Sequence, residues 1–374
     1  MTPHQFSGPV SSRPVRPLVL SVALALALLA SLVLVGPAGR ATPAEERAER
    51  GSFVVWDSTA INPGGKIRAH GKVPGGKRKI ALQVKVKRSW QTFDTTRSNG
   101  KGKFRVAGRL DWYGVHKVRV VALGRKPFSR SKRVAVYAPY APVGNPKDYA
   151  FFHGSSVRKN FRFNPCQKVN YRLNTEDVGR EAKALIKTAL TQVTWATGIK
   201  FRYVGKSRVI PYNMGKRQHY PRGTNLVIAF ATHAEVPDFV RRTAAGFGGP
   251  RWLYPARNSQ GQRVWMTTEA GVTLSTDYWN DGFAHNFLDN TRATIGELIL
   301  HEVGHAVGLD HVPAATQEIM NGRGYYRYPD GYYKGLYNLG DLNGLSKVGL
   351  KQGCLRQIRH GRVGEVEVET PPQP

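Results

Sequence analysis

Eleven residues constrain this chain more than all the rest: His301-Glu302-Val303-Gly304-His305-Ala306-Val307-Gly308-Leu309-Asp310-His311. On a helix, His301 and His305 stand four residues apart and project from one face, close enough to hold a single metal ion. Glu302 falls on the adjoining face, within reach of a water at that metal without being a ligand. Gly308 lets the chain leave the helix in a conformation that strains other residues. His311 then swings back as a third ligand. Three neutral imidazoles leave a fourth zinc position open, which a catalytic site requires and a structural one does not. The bland alternative is histidines satisfied in an ordinary core. It must place five matching residues by accident, which this chain's His, Glu and Gly frequencies make rare.

The window resembles the metzincin metalloprotease signature, and within that clan it is most similar to the matrixins, the group of the matrix metalloproteinases, in a secreted bacterial type. The resemblance covers about residues 161–358, with its specific part at 301–320. It implies a zinc endopeptidase acting on polypeptide, with one catalytic Zn2+ on His301, His305 and His311 and with Glu302 as general base. It also implies that Met320, in Glu318-Ile319-Met320-Asn321, is the Met-turn residue beneath the ligands. Gly340-Asp341-Leu342-Asn343-Gly344-Leu345 is similar to the start of the last matrixin helix. Segments 246–250 and 271–277 follow matrixin order.

Three features depart from the family pattern. There is no propeptide cysteine, residue 312 is Val where Ser is usual, and Asn321 follows Met320 where Tyr is usual. The catalytic chemistry therefore carries over, while the latency mechanism and substrate pocket do not. Family calcium and structural-zinc sites do not carry over either. His219, His233, Asp277, Asp281, His285 and Asp289 could supply ligands, calcium included, but no spacing supports it and surface or capping roles fit them better. Tyr325, Tyr326, Tyr328, Tyr332 and Tyr333 follow the Met-turn, where the family builds a pocket wall. One of them is a candidate oxyanion donor; a loop packed by its own aromatics is the plainer reading.

The rest of the chain predicts a multidomain protein: an N-terminal all-β immunoglobulin-like sandwich over 53–138, then an α+β metzincin catalytic domain over 161–358 with a twisted mixed sheet and an active-site helix. Strands are expected at Phe53–Trp56, Lys66–Val73, Lys79–Arg88, Lys103–Leu110, His116–Leu123 and Lys132–Tyr137. In Lys79–Lys87, Ile80, Leu82, Val84 and Val86 alternate with polar or small residues, the mark of a half-buried strand. Three prolines within Tyr137–Pro146 make 139–160 a semi-rigid linker. Ala182, Leu185, Ile186, Ala189, Leu190, Val193 and Ala196 trace an amphipathic helix ended by Gly198. Further strands are expected at Lys168–Leu173, Ile199–Tyr203, Leu226–Ala231 and Gly271–Ser275. A helix is expected over Ala293–Leu309, and a shorter one around Leu342–Val348. The tail, 359–374, reads as disordered.

Arg13 and Arg16 precede an apolar run from Leu18 to Val35 with small residues after it, the layout of a secretory signal over 1–41; a retained membrane anchor is the second reading. A short linker, 42–52, follows. The protein is thus expected outside the cytoplasm, secreted or at the cell surface. Only two cysteines, Cys166 and Cys354, occur, and an exported chain most simply pairs them. The alternative is a free Cys166 thiolate that reaches the zinc and holds the enzyme latent.

Charge is uneven. Residues 51–140 carry 21 Lys and Arg against three acids, +18 of a net +31, whereas 264–322 sum to −7. Such a basic region attracts anionic cell-wall or surface polymer. Nucleic acid is not expected, because export argues against it and only Trp90, Trp112 and Tyr113 are candidate stacking residues there. A monomer is expected. The rival reading of the whole chain is a cell-surface adhesion protein whose basic sandwich grips anionic polymer and whose metal domain is inert.

Overall fold

The computed structural model describes residues 52–125, 127–151, 161–213, 218–241, 244–314, 316–322 and 327–358. The expected signal, the tail, Tyr325 and Tyr326 lie outside those residues. Among the described residues no helix is long and apolar enough to cross a membrane. The chain is mostly β among the described residues, in several sheets with few helices, and those residues form one compact unit.

Eight strands come first: β1 (Phe53–Trp56), β2 (Ala60–Ile61), β3 (Lys66–Lys72), β4 (Lys79–Val86), β5 (Ser89–Arg97), β6 (Lys103–Arg109), β7 (Gly114–Ala122) and β8 (Lys132–Val136). They make a three-stranded sheet, β1-β3-β6, and a five-stranded sheet, β2-β8-β7-β4-β5. The alternation read at Lys79–Lys87 is realised in β4, where Ile80, Leu82, Val84 and Val86 are buried and Lys79 and Lys85 are exposed. The two sheets share their cores. Ile67 packs with Val84, Val118 and Val134, and Ala69, Phe104 and Val106 pack with Ile80, Leu82 and Val120. β5 was not legible, because Ser-Trp-Gln-Thr-Phe-Asp-Thr-Thr-Arg shows no clean apolar alternation. It is an edge strand held by its ladder to β4, after a turn in which Lys87 takes φ 53°.

The second half contains β10 (Phe161–Phe163), β11 (Val169–Asn174), α1 (Gly179–Thr197), β12 (Phe201–Lys206), β13 (Leu226–Ala231), the single turn α2 (Asp238–Arg241), β14 (Gly246–Arg257) and β15 (Arg263–Ser275). Then follow β16 (Leu288–Asp289), α3 (Ile295–Val307), β17 (Leu309–Asp310), β18 (Tyr333–Lys334), α4 (Leu339–Val348) and β19 (Arg356–Gln357). Its sheet runs β12-β11-β13-β15-β14-β19 and is mixed. β11, β12, β13 and β15 are parallel, and β14 is antiparallel to β15. The apolar stripe of α1, including Ile186, Ala189 and Val193, packs with α3 and with Leu226, Ile228, Val272 and Leu274 of the sheet. Each Leu, Ile or Val side chain among these contributes roughly 1.5–3 kcal/mol on burial.

The halves are docked. The Tyr113 amide donates to the Trp195 carbonyl at 2.7 Å, Lys200 pairs with Asp111, and Leu350 packs against the sandwich core. The proline-rich stretch after β8, expected to be a spacer, is strapped to α4 over its described part. Leu339 donates its amide to the Val143 carbonyl at 2.9 Å, and the Tyr140 hydroxyl donates to the Tyr337 carbonyl at 2.7 Å. β9 (Ala150–Phe151) then pairs antiparallel with β17, next to His311. Proline removes a backbone donor, and the Val143 carbonyl in this stretch is satisfied by the amide of Leu339 at the start of α4.

Candidate metal centre

All thirteen residues of α3 are buried, Glu297, His301, Glu302 and His305 among them. The Thr294 hydroxyl caps the helix by accepting from the Glu297 amide at 3.1 Å, a contact worth about 1 kcal/mol. At the other end Gly308 has φ 117°, and a Cβ there would stand 2.7 Å from the Phe161 carbonyl oxygen. No other residue satisfies both conditions, so the chain turns at Gly308 and delivers His311 back toward the helix.

The Nε2 atoms of the three histidines converge: 3.2 Å between His301 and His305, 3.0 Å between His301 and His311, and 3.1 Å between His305 and His311. His301 Nδ1 lies 2.7 Å from the Ile319 carbonyl and His305 Nδ1 lies 2.9 Å from the Leu309 carbonyl. A carbonyl can only accept, so both Nδ1 atoms carry hydrogen and both Nε2 atoms present lone pairs to one another. Lone pairs at this separation repel unless a cation lies between them. Donors at 2.0–2.1 Å around a tetrahedral ion stand about 3.3 Å apart, so this triangle fits a small divalent ion. Burial holds the rings neutral, lowering His301 to about 3 and pushing His305 and His311 down as well, as ligation needs. Among the described residues, these three are the group that could hold a metal ion.

Glu302 is buried beside them without joining the triangle. β14 lies against it: a Cβ on Gly248 would stand 2.0 Å from the Glu302 carbonyl oxygen, and one on Gly246 would stand 2.8 Å from Glu302 Cγ. Burial lifts its carboxyl to about 8, within the range where a group can take and return a proton near neutrality.

Met320 forms the floor. It is 1 % exposed, and a Cβ on Gly304 would stand 2.3 Å from its sulfur, so Gly304 is what lets the thioether sit under the helix. The support below it was not read from the sequence. Asp341 accepts from the amides of Ile319 at 2.7 Å and Met320 at 3.2 Å, and Glu318 accepts from the Asp341 amide at 3.0 Å. An acid beside Ile319 and Met320 at Glu318 and another opening α4 were the available signals, but nothing local pairs residues 23 positions apart.

Burial, then the charge of Asp341, lifts Glu318 to about 8, so the pair holds a proton at neutral pH. A carboxyl raised in the fold stabilises fully below its unfolded value of about 4.5 and loses that contribution as pH rises through its folded value. This carboxyl's share of the stability is therefore lost between about pH 4.5 and 8. That loss is opposite in sign to the gain that the buried neutral histidines give as pH rises toward their unfolded value of about 6.5. Glu318→Gln should make the metal-free protein's slope of stability against pH more positive by up to about 1.4 kcal/mol per pH unit. Denaturant titrations across that window check this; an unchanged slope assigns the proton elsewhere.

The other candidates divide. Cys166 and Cys354 form a disulfide and no cysteine is free, which removes the thiolate-latency alternative. His233 pairs with Asp277 at 2.8 Å, and His285 bonds the Trp279 carbonyl at 2.7 Å. Asp289 caps its own turn through Thr291 and Arg292. None of the six joins a metal cluster among the described residues. Tyr328 accepts a hydrogen bond from Asn338, and Tyr333 pairs with Asp289 in the β16–β18 ribbon.

No family model matches the chain, and no curated protein matches it. Among solved structures it is similar to a C-terminal fragment of intimin in complex with the intimin-binding domain of its translocated receptor. That match has 12 % identity and a TM-score of 0.18, over 30 % of this chain and 42 % of the fragment. It is also similar to the bacterial superantigen toxic shock syndrome toxin-1, at 8 % identity and TM-score 0.16, over 24 % of this chain and 99 % of that one. A third similarity is to a glycoside hydrolase of Bacteroides vulgatus, at 10 % identity and TM-score 0.18, over 56 % of this chain and 35 % of that one. The chain thus spans under half the length of the intimin fragment, and at these scores the likenesses carry no argument about function.

Proposed function

We propose that this chain is a secreted, zinc-dependent endopeptidase of metzincin type, with a matrixin-like α+β catalytic region at 161–358 behind an immunoglobulin-like sandwich at 53–138. The observation that carries the reading is the triangle of carbonyl-anchored imidazoles with the buried, uncoordinated Glu302 beside it. His301, His305 and His311 would hold the ion. When bound, zinc supplies Lewis acidity, which polarises a peptide carbonyl and acidifies water. Glu302 takes a proton from the attacking water and returns it to the leaving amine. The Ile319 and Leu309 carbonyls keep His301 and His305 in the tautomer that presents Nε2. The disulfide suits an oxidising compartment and supports the secreted placement.

The expected outcome is that the purified protein digests casein, loses the activity to a chelator and regains it with one equivalent of Zn2+. Protein that binds zinc tightly yet leaves casein and gelatin intact sinks the protease reading and favours the adhesion one.

A further inference from the structure

Two of the three imidazoles are anchored through Nδ1, and the third is not. The Ile319 and Leu309 carbonyls hold His301 and His305, whereas among the described residues no hydrogen bond reaches His311 Nδ1. His311 is also the half-buried member of the triad. Its placement therefore falls to its backbone. The His311 amide donates to Asp310 Oδ1 at 2.8 Å, and the next amide, of Val312, donates to the Met320 carbonyl at 2.8 Å. β17, the strand that leads into His311, pairs with β9, setting Leu309 opposite Phe151 and Asp310 opposite Ala150. β9 thus backs two ligands at once: His305 through the Leu309 carbonyl, and His311 through Asp310.

β9 is in turn seated by α4. Gly340 and Gly344 stand four apart on one face of that helix, although glycine costs a helix stability relative to alanine. A Cβ on Gly340 would overlap the Asp148 carbonyl oxygen. One on Gly344 would stand 2.9 Å from Tyr149 Cβ and 3.0 Å from Leu309 Cδ2. The bare face of α4 is therefore the common seat of the strap and of β17. Lys347 donates to the Tyr149 hydroxyl, and Asn343 donates to the Pro146 carbonyl at 2.6 Å. Phe151 packs against the core of the second half, with its ring 5.5 Å from that of Tyr149.

We infer that Tyr149 and Phe151 are positioning residues for the metal centre. They hold β9 against β17, so that His311 closes the triangle and the Leu309 carbonyl stays behind His305. Neither is a ligand, and both act through the backbone of β17. The stretch that joins the sandwich to the second half thereby sets the affinity for the ion, which a freely moving spacer would not do. The inference rests on the three histidines holding an ion, and it is independent of the reaction that ion serves.

The full chain is prepared as Tyr149→Ala/Phe151→Ala and, for comparison, as Phe201→Ala/Tyr203→Ala. The second pair removes two half-buried aromatics from β12, an edge strand packed against the same core. Zinc dissociation constants are measured by competition with a chromogenic chelator. The visible absorption of the Co2+ form, which reports coordination geometry, and the melting temperature without metal are recorded beside them. The strap variant should bind zinc about 10- to 100-fold more weakly, as when outer-shell partners of metal ligands are removed, and its Co2+ bands should change. The β12 variant should keep the wild-type affinity and spectrum however far its melting temperature falls. Tyr149→Phe/Phe151→Leu, which retains the packing, should restore the affinity. Gly344→Ala favours the helix yet displaces Tyr149 and Leu309, so it should weaken zinc as the strap variant does. Equal losses in the strap and β12 variants, or wild-type affinity in the strap variant or in Gly344→Ala, would overturn the inference and leave the metal centre standing. Wild-type protein that takes up no zinc overturns both.

Discussion

If the proposed chemistry holds, Glu302→Gln should remove peptide hydrolysis while the chain still takes up one zinc ion. The three converging Nε2 atoms come from His301, His305 and His311 alone, so the ligand set survives the change. Glutamine keeps the shape that fits beside Gly246, where the strand leaves no room for a bulkier group. What is lost is the proton acceptor, and positioned acid–base groups contribute roughly 10²–10⁴-fold to rate. Zinc stoichiometry and casein or peptide hydrolysis, measured on the same preparation, check both halves. His301→Ala provides the contrast: it breaks the triangle and should lose metal and activity together. Full activity in Glu302→Gln removes that carboxylate from the chemistry.

Removing the disulfide should have the largest effect on stability. Cys166 lies just before β11 and Cys354 just before β19, 188 residues apart, with their Cα atoms 5.3 Å from each other. Around the bridge, Asn164 donates to the Leu355 carbonyl at 2.9 Å and accepts from its amide at 3.1 Å, and Arg162 donates to the Gly353 carbonyl at 2.8 Å. Closing so long a loop constrains the unfolded chain by roughly 5 kcal/mol, an upper bound because denatured-state structure subtracts from it. The Cys166→Ser/Cys354→Ser variant should therefore melt several degrees, up to about 8 °C, below wild type. Zinc uptake at low temperature should persist, since none of the hydrogen bonds that hold the His triangle and its floor involves either cysteine. An unchanged melting temperature, or free thiols in the unfolded, unreduced wild type, contradicts the bridge.

The local parts of the site were legible before any coordinates. The i, i+4 spacing of His301 and His305, the glycine at 308 and the return of His311 are short-range relations, and helical geometry converts them directly into a shared face. The same holds for β4, whose two-residue alternation is a statement about one strand and one core. Helix α3 begins two residues later and ends two residues earlier than its apolar pattern, because Thr294 caps it and Gly308 ends it. β5 escaped because an edge strand is stabilised by its neighbour's ladder, which leaves little trace in its own apolar pattern.

The amino-acid order alone determined which side chains gather at the candidate metal centre, where the helix stops, and that residues 51–140 carry most of the net charge. Tertiary structure alone decided what orients those side chains: the Ile319 and Leu309 carbonyls behind the imidazoles, the Asp341 and Glu318 carboxyls under Met320, and the strapping of residues 139–151 against α4. It also decided that basic residues from two separate strands stand in opposed pairs on one face. The division follows from range. A periodic pattern names its own neighbours within a turn or a pleat, whereas a hydrogen bond across twenty residues or a strand register has many alternatives of similar energy. Only the packing of the whole chain selects among them.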